Sequence, residues 1–189
     1  MPAILVVWAA TVPAQAMTVV QRDFPELVAR AEQIVVGTVT GIRETEEAPG
    51  EPVTLVTFSD LTVLKGDVGP ELTLRLAGGR TGAYAVQVSD MPRFTLGERA
   101  VLFVAGNGRD ICPLVGAWQG RFRVRFDAAL GTEIVENNGG APVVGLVRRN
   151  LQFSSPAATG GGASPMTLDA FRQLVADEMA APQGAAQPQ

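Results

Sequence analysis

The sequence predicts a mainly β protein, an OB-like or related small β-barrel or sandwich with a short N-terminal helix and a C-terminal amphipathic helix. Three observations carry this reading. The chain of 189 residues holds 21 Gly and 13 Pro, which demand many turns and leave little room for long helices. Apolar and charged residues alternate without a break through Arg121-Phe122-Arg123-Val124-Arg125-Phe126, and Leu72, Leu74 and Leu76 alternate with Thr73 and Arg75, the period of two of a half-buried strand. Between such runs lie turn signals, Lys65-Gly66-Asp67 and Asn137-Asn138-Gly139-Gly140 foremost among them. Apolar residues at 47% and charged residues at 18% describe a globular chain long enough for one packed core.

At the N-terminus, Ala3 to Val12 is an apolar run broken only by Thr11, and Pro13 separates it from Ala14-Gln15-Ala16. Ala14 and Ala16 fit the small-residue pattern of a signal-peptidase site, so residues 1–16 read as a cleavable export signal and the mature chain begins at Met17. No Lys or Arg precedes the run, and the terminal amine is its only positive charge. A transmembrane helix needs about 20 apolar residues, and no stretch of that length is free of charge, Gly or Pro. No membrane span is expected.

Residues 17–153 are expected to form the β domain. Asp23-Phe24-Pro25-Glu26 reads as a helix start, with Phe24, Leu27, Val28 and Ala31 on one face. Ile34 to Ile42 is β-branched and interrupted by Gly37 and Gly41, a strand that bends. Glu44, Glu46, Glu47 and Glu51 surround a Pro49-Gly50 turn and read as a solvated loop, because their spacing matches no calcium-binding loop. In Val53 to Leu64 the apolar parity switches near Ser59-Asp60, as a β-bulge requires. Gly78-Gly79-Arg80-Thr81-Gly82 lacks the Gly-Lys-Ser/Thr ending of a phosphate cradle and reads as a mobile loop. After the turn Leu96-Gly97-Glu98, Arg99 to Val104 is nearly all apolar, a central strand covered on both faces. Gly106-Asn107-Gly108 is a turn without the third glycine of a dinucleotide motif. Short strands follow at Glu133 to Val135 and Val143 to Val147, then a linker over 154–165. A helix over 166–180 carries Thr167 as N-cap and Leu168, Phe171, Leu174, Val175 and Met179 as its apolar stripe, and a disordered tail over 181–189 ends the chain.

Composition narrows function. With a net charge of −4 and basic residues scattered along the chain, nucleic acid is not an expected partner. The absence of histidine excludes Ser-His-Asp and Cys-His chemistry. Cys112 is the only cysteine, so neither an intramolecular disulfide nor a Cys-rich zinc site can form, and no cofactor or metal is implied. Its neighbours Ile111, Pro113, Leu114 and Val115 predict a packed thiol. The surface feature to single out is Arg121, Arg123 and Arg125, three guanidiniums spaced about 7 Å apart along one strand face and suited to carboxylate, phosphate or an acidic protein partner. The plainer alternative is a strand face kept soluble by charge and balanced by cross-strand carboxylates.

Three segments, Arg30-Ala31-Glu32-Gln33-Ile34-Val35-Val36-Gly37-Thr38-Val39, Val63-Leu64-Lys65-Gly66 and Gly97-Glu98-Arg99-Ala100-Val101-Leu102-Phe103, resemble the pattern of netrin modules and tissue metalloprotease inhibitors, and of a group of uncharacterised exported bacterial proteins. The resemblance implies an OB-type barrel. Those inhibitors present an N-terminal cysteine to the protease zinc, whereas the predicted mature terminus here is Met17-Thr18, so their mechanism does not carry over. The expected function is an exported, periplasmic or secreted, non-catalytic binding module acting on or with an exported hydrolase. The alternatives are a hydrolase or lyase using carboxylates drawn from Asp60, Asp90, Glu98 and Asp110, and a structural component of the cell envelope.

Overall fold

A computed structural model describes residues 20–82, 84–154 and 163–181. The expected signal segment with Ala14 and Ala16, most of the expected linker and nearly all of the tail lie outside the described residues.

Helix α1 (Phe24–Arg30) opens with a capping box. The Asp23 carboxylate accepts from the Glu26 N–H at 2.8 Å, and the Glu26 carboxylate reaches back to the Asp23 N–H at 3.3 Å. Its far end is tied down by Lys65, whose ammonium donates to the Val28 carbonyl at 2.7 Å, where a cation is favoured by the helix dipole.

Strands β1 (Gln33–Ala48) and β2 (Glu51–Lys65) form one long hairpin around Pro49-Gly50. The acidic stretch expected to be a loop is therefore strand: Glu44 faces Thr54 and Glu46 faces Pro52 across the ladder. Cross-strand pairing outweighs the low strand propensity of glutamate, which depends strongly on context. The expected bulge is present. Between the pairs Val36–Thr62 and Thr38–Ser59, β2 advances one residue more than β1, and Asp60 takes φ +53°.

After β3 (Leu72–Ala77), the glycine-rich segment is not a free loop but the first strand of a small hairpin, β4 (Gly79–Thr81) with β5 (Tyr84–Val86). It lies over the β1–β2 arm. Thr54 Oγ1 donates to the Gly78 carbonyl at 2.8 Å, Gly78 N–H donates to Pro52 O at 2.9 Å, and the Tyr84 hydroxyl donates to the Glu46 carboxylate. Gly78 is required here: its φ is +91°, and a Cβ would lie 2.8 Å from the Val86 carbonyl oxygen.

Strands β6 (Arg99–Val104), β7 (Arg121–Asp127) and β8 (Thr132–Glu136) complete a six-stranded antiparallel sheet in the order β3-β2-β1-β6-β7-β8. The protein is mainly β, as predicted. Among the described residues the ladder does not close into a barrel; instead the segment 105–115 spans the gap between β3 and β6. Ala77 N–H donates to Ile111 O and Val115 N–H to Phe103 O, each at 2.9 Å. On the open edge of β3 the Asn107 amide stands in for a strand, accepting from Arg75 N–H at 3.0 Å and donating to Thr73 O at 2.8 Å.

Two apolar clusters flank the sheet, and β6 feeds both. Val101 and Phe103 join the cluster under the helices, while Ala100, Leu102 and Val104 join the one inside the curl of β1, β2 and β3. The remaining hairpin, β9 (Val143–Val147) with β10 (Asn150–Phe153), turns through Arg148 and Arg149, both at positive φ, and Phe24 N–H bonds to Arg149 O at 2.9 Å. Helix α2 (Leu168–Ala180) is capped by Thr167, as expected, and buries Leu168, Phe171 and Val175. Just before it, Val135 N–H donates to Met166 O, so the lead-in to α2 covers the outer edge of β8.

Phe24, Phe103, Phe122 and Phe171 meet in one aromatic group, with centroid separations of 5.0 to 6.5 Å. Phe171 touches the other three and is fully buried, so Phe171→Ala is expected to cost about 3–5 kcal/mol in urea denaturation. A second test concerns the small hairpin. The Tyr84 hydroxyl and the Gly50 N–H hold the Glu46 carboxyl below the ordinary glutamate range. A depressed pKa in the folded state means that this contact contributes above the unfolded glutamate pKa and is lost as pH falls through the folded one. Acidification through the carboxylate range should therefore shift the Tyr84 ring signals in NMR before the main sheet melts, and Glu46→Ala should show the shifted signals at neutral pH.

Candidate functional site

Strand β7 places Arg121, Arg123 and Arg125 on one face, as the alternation predicts, but burial treats the three differently. Arg121 is only 6% exposed. The segment 88–98 folds over the start of β7, bringing Glu98 into an ion pair with the Arg121 guanidinium. Arg121 also donates to Asn138 Oδ1 at 2.7 Å, and its Cζ lies 4.6 Å from the centroid of the Phe94 ring. Phe94 in turn packs edge-on against Phe58 in the second cluster, at 5.3 Å. The first member of the expected stripe is therefore an interior anchor, not a surface charge.

Arg125 is neutralised in place. Its Nε donates to Glu136 at 2.7 Å and its terminal nitrogen to Asp127 at 3.3 Å. Two backbone N–H groups, from Leu130 and Ala129, hold the Asp127 carboxyl below its ordinary range, with Arg125 adding to the effect. The cross-strand carboxylate of the plainer alternative is thus present at this position. Arg123 is exposed and makes no ion pair or side-chain hydrogen bond among the described residues. On the opposite face Phe122 is buried, Val124 is half-buried and Phe126 is 62% exposed. The inward expectation fails at Phe126 because β6 pairs with β7 only as far as Val124, so the strand runs on past its neighbour.

Arg123 shares a groove with a residue that sequence reasoning passed over. The groove, about 340 Å³, is lined by Pro92, Arg93, Thr95, Arg121, Arg123 and Asn138, with Glu98 among the further lining residues. Arg93 is exposed and, like Arg123, has no ion-pair or hydrogen-bond partner among the described residues. Glu98 is the one acid lining the groove among the described residues and is committed to Arg121, so the groove carries two guanidiniums without an ion-pair partner among the described residues, a constellation suited to carboxylate or phosphate. Nothing local in Met91-Pro92-Arg93 marks that role; it arises when the 88–98 segment crosses β7.

The four carboxylates of the catalytic alternative are not gathered into one site. Asp60 occupies the β2 bulge, Asp90 lines a cleft of about 520 Å³ beneath the β4–β5 hairpin, Asp110 lies in the 105–115 segment and Glu98 is paired with Arg121. Neither that cleft nor the arginine groove is lined by two of them. Cys112 is half-buried against the second cluster, and burial pushes its thiol up, as expected for a packed cysteine.

The Arg121–Glu98 pair has side chains 7% and 9% exposed, and removing one member leaves a buried charge unopposed. Arg121→Met and Glu98→Leu are each expected to cost about 3–5 kcal/mol, whereas the double variant recovers most of the loss. Urea denaturation of all four proteins measures the coupling. No protein-family model, curated protein or solved structure matches this chain.

Proposed function

We propose that this chain is an exported, non-catalytic interaction module that receives an acidic segment of another protein in the groove between Arg93 and Arg123. The observation that carries the reading is the pair of exposed guanidiniums without partners among the described residues, set beside a buried and self-neutralised ion pair. Guanidiniums not spent on an internal partner remain available to an incoming carboxylate, while the buried Arg121–Glu98 pair and Asn138 beneath them shape the groove. The bulged and curled strands β1, β2 and β3 support the kinship with netrin-like barrels that belongs to this reading, and the Ala14-Gln15-Ala16 pattern supports export. An exported hydrolase is the partner class to test first.

The measurement is binding of an oligoglutamate peptide, followed by capture of partners from the exported fraction, with wild-type protein and with the Arg93→Glu/Arg123→Glu double variant. The wild type should bind in a salt-sensitive manner, and the double charge reversal should weaken binding about tenfold or more, since a hydrogen bond to a charged group contributes about 1.5–3 kcal/mol. Both side chains are exposed, so the melting temperature should not change. Peptide binding and capture that survive the double reversal would sink the reading.

A further inference from the structure

A different cleft lies on the other side of Arg121 and Asn138, which line both it and the arginine groove. Its volume is about 360 Å³. It is enclosed by the chain ahead of α1, the short 3-10 turn Ala117–Gly120, the 137–140 turn and β10. Phe24 and Phe122 supply a buried apolar base, while Trp118 and Phe153 line the same cleft with 45% and 41% of their surface exposed. Large rings left open to water on two separate elements of one cleft are unusual for a packed domain and mark a place where a flat apolar group would be buried.

The polar groups of the cleft fall into two sets. Gln119 and Asn138 are used within the fold: Gln119 accepts from Arg22 N–H at 2.9 Å and donates to Val20 O at 3.0 Å, and Asn138 is held by Arg121 and by the Trp118 carbonyl. Arg22 and Asn137 are not fully used. Among the described residues, the buried Arg22 Nε has no hydrogen-bond partner, its guanidinium has no ion pair, and the Asn137 side chain accepts from Gly139 and Ala141 while its NH2 meets no acceptor. Both unmatched groups are donors. Among the described residues no Asp or Glu lines the cleft, and none of them balances the charge of Arg22 inside it. Arg22 Nε is the buried one of the two and carries a penalty that an acceptor would remove, and a carboxylate is the acceptor whose charge fits.

We propose that this cleft binds an aromatic carboxylate, with the ring against Trp118 and Phe153 and the carboxylate on the Arg22 guanidinium and the Asn137 amide. The cleft lies at the small end of the volume range for ligand sites, about 300–1,000 Å³, which suits one aromatic residue or an acid of that size. Such a group occurs as a free aromatic acid and as the terminal residue of a polypeptide. The assignment does not draw on the Arg93–Arg123 groove, and either site can fail without the other.

The test is an NMR titration of isotope-labelled protein, with affinities by calorimetry, using N-acetylphenylalanine, its amide, and a hexapeptide ending in phenylalanine. The acid should bind saturably and shift the Trp118 indole and Asn137 side-chain signals, and the amide should bind about tenfold or more weakly. A hexapeptide that binds tighter than the acid identifies a polypeptide terminus as the natural ligand, and equal affinity identifies a free acid. Arg22→Gln should weaken the acid about tenfold or more and leave the amide unchanged, a split that a merely structural Arg22 would not produce. Phe153→Ala should weaken both with no change in melting temperature. Equal affinity for acid and amide, an Arg22→Gln variant that binds the acid like wild type, the absence of a saturable shift, or shifts confined to residues away from this cleft would each overturn the proposal.

Discussion

The packing of β6 on both faces is the constraint on which the rest of the structure depends. Phe103 and Val101 hold the helices on one side, and Ala100, Leu102 and Val104 fill the curl of β1 to β3 on the other. After Arg99 at its start, the strand carries only apolar side chains on both faces and sits inside the sheet. Its position places β1 on one flank and β7 on the other, and so decides that the arginine-rich strand begins over the second cluster. The aromatic group around Phe171 then fixes α2 against the same strand, although the chain separates the two by more than sixty residues.

Open sheets expose unpaired backbone at their edges, and this one covers both with irregular chain. The Asn107 amide occupies the β3 edge, and the segment leading into α2 occupies the β8 edge. These devices are economical in length and leave the sheet uncurled at one end, where β7 runs past β6 and Phe126 faces solvent. The surface features that invite ligands follow from this arrangement. Where the 88–98 segment and the 137–140 turn close over the start of β7, Arg121 becomes a buried wall, and the residues on its two sides become separate clefts of different character. One presents unopposed positive charge. The other combines exposed rings with unmatched donors.

Local signals in the sequence were sufficient for much of the architecture. The helix start at Asp23, the bulge near Asp60, the doubly covered strand at 99–104 and the Thr167 cap are short-range features, and each stands where the pattern of nearby residues predicts. The β4–β5 hairpin and β10 were not legible. The first depends on Thr54 and Glu46 from a distant arm, and the second follows a turn through Arg148 and Arg149 that carries no Asn-Gly or Asp-Gly mark. For the same reason the acidic stretch of the β1–β2 arm reads as loop until its cross-strand partners are known.

What the sequence by itself determined is the class of the protein and the alternation of β7, because periodicity and turn chemistry act over a few residues. It also determined that histidine chemistry and an intramolecular disulfide are excluded, since these follow from composition alone. Only the tertiary structure decided which of Arg121, Arg123 and Arg125 meets the solvent. That choice depends on the positions of Glu98, Glu136 and Asp127 in space, and on a segment folding across the strand, neither of which alternation encodes. Arg93 and Arg22 acquire their interest in the same way: a charge becomes available for binding when packing leaves it without a partner among the described residues, and that is a property of the folded surface as a whole.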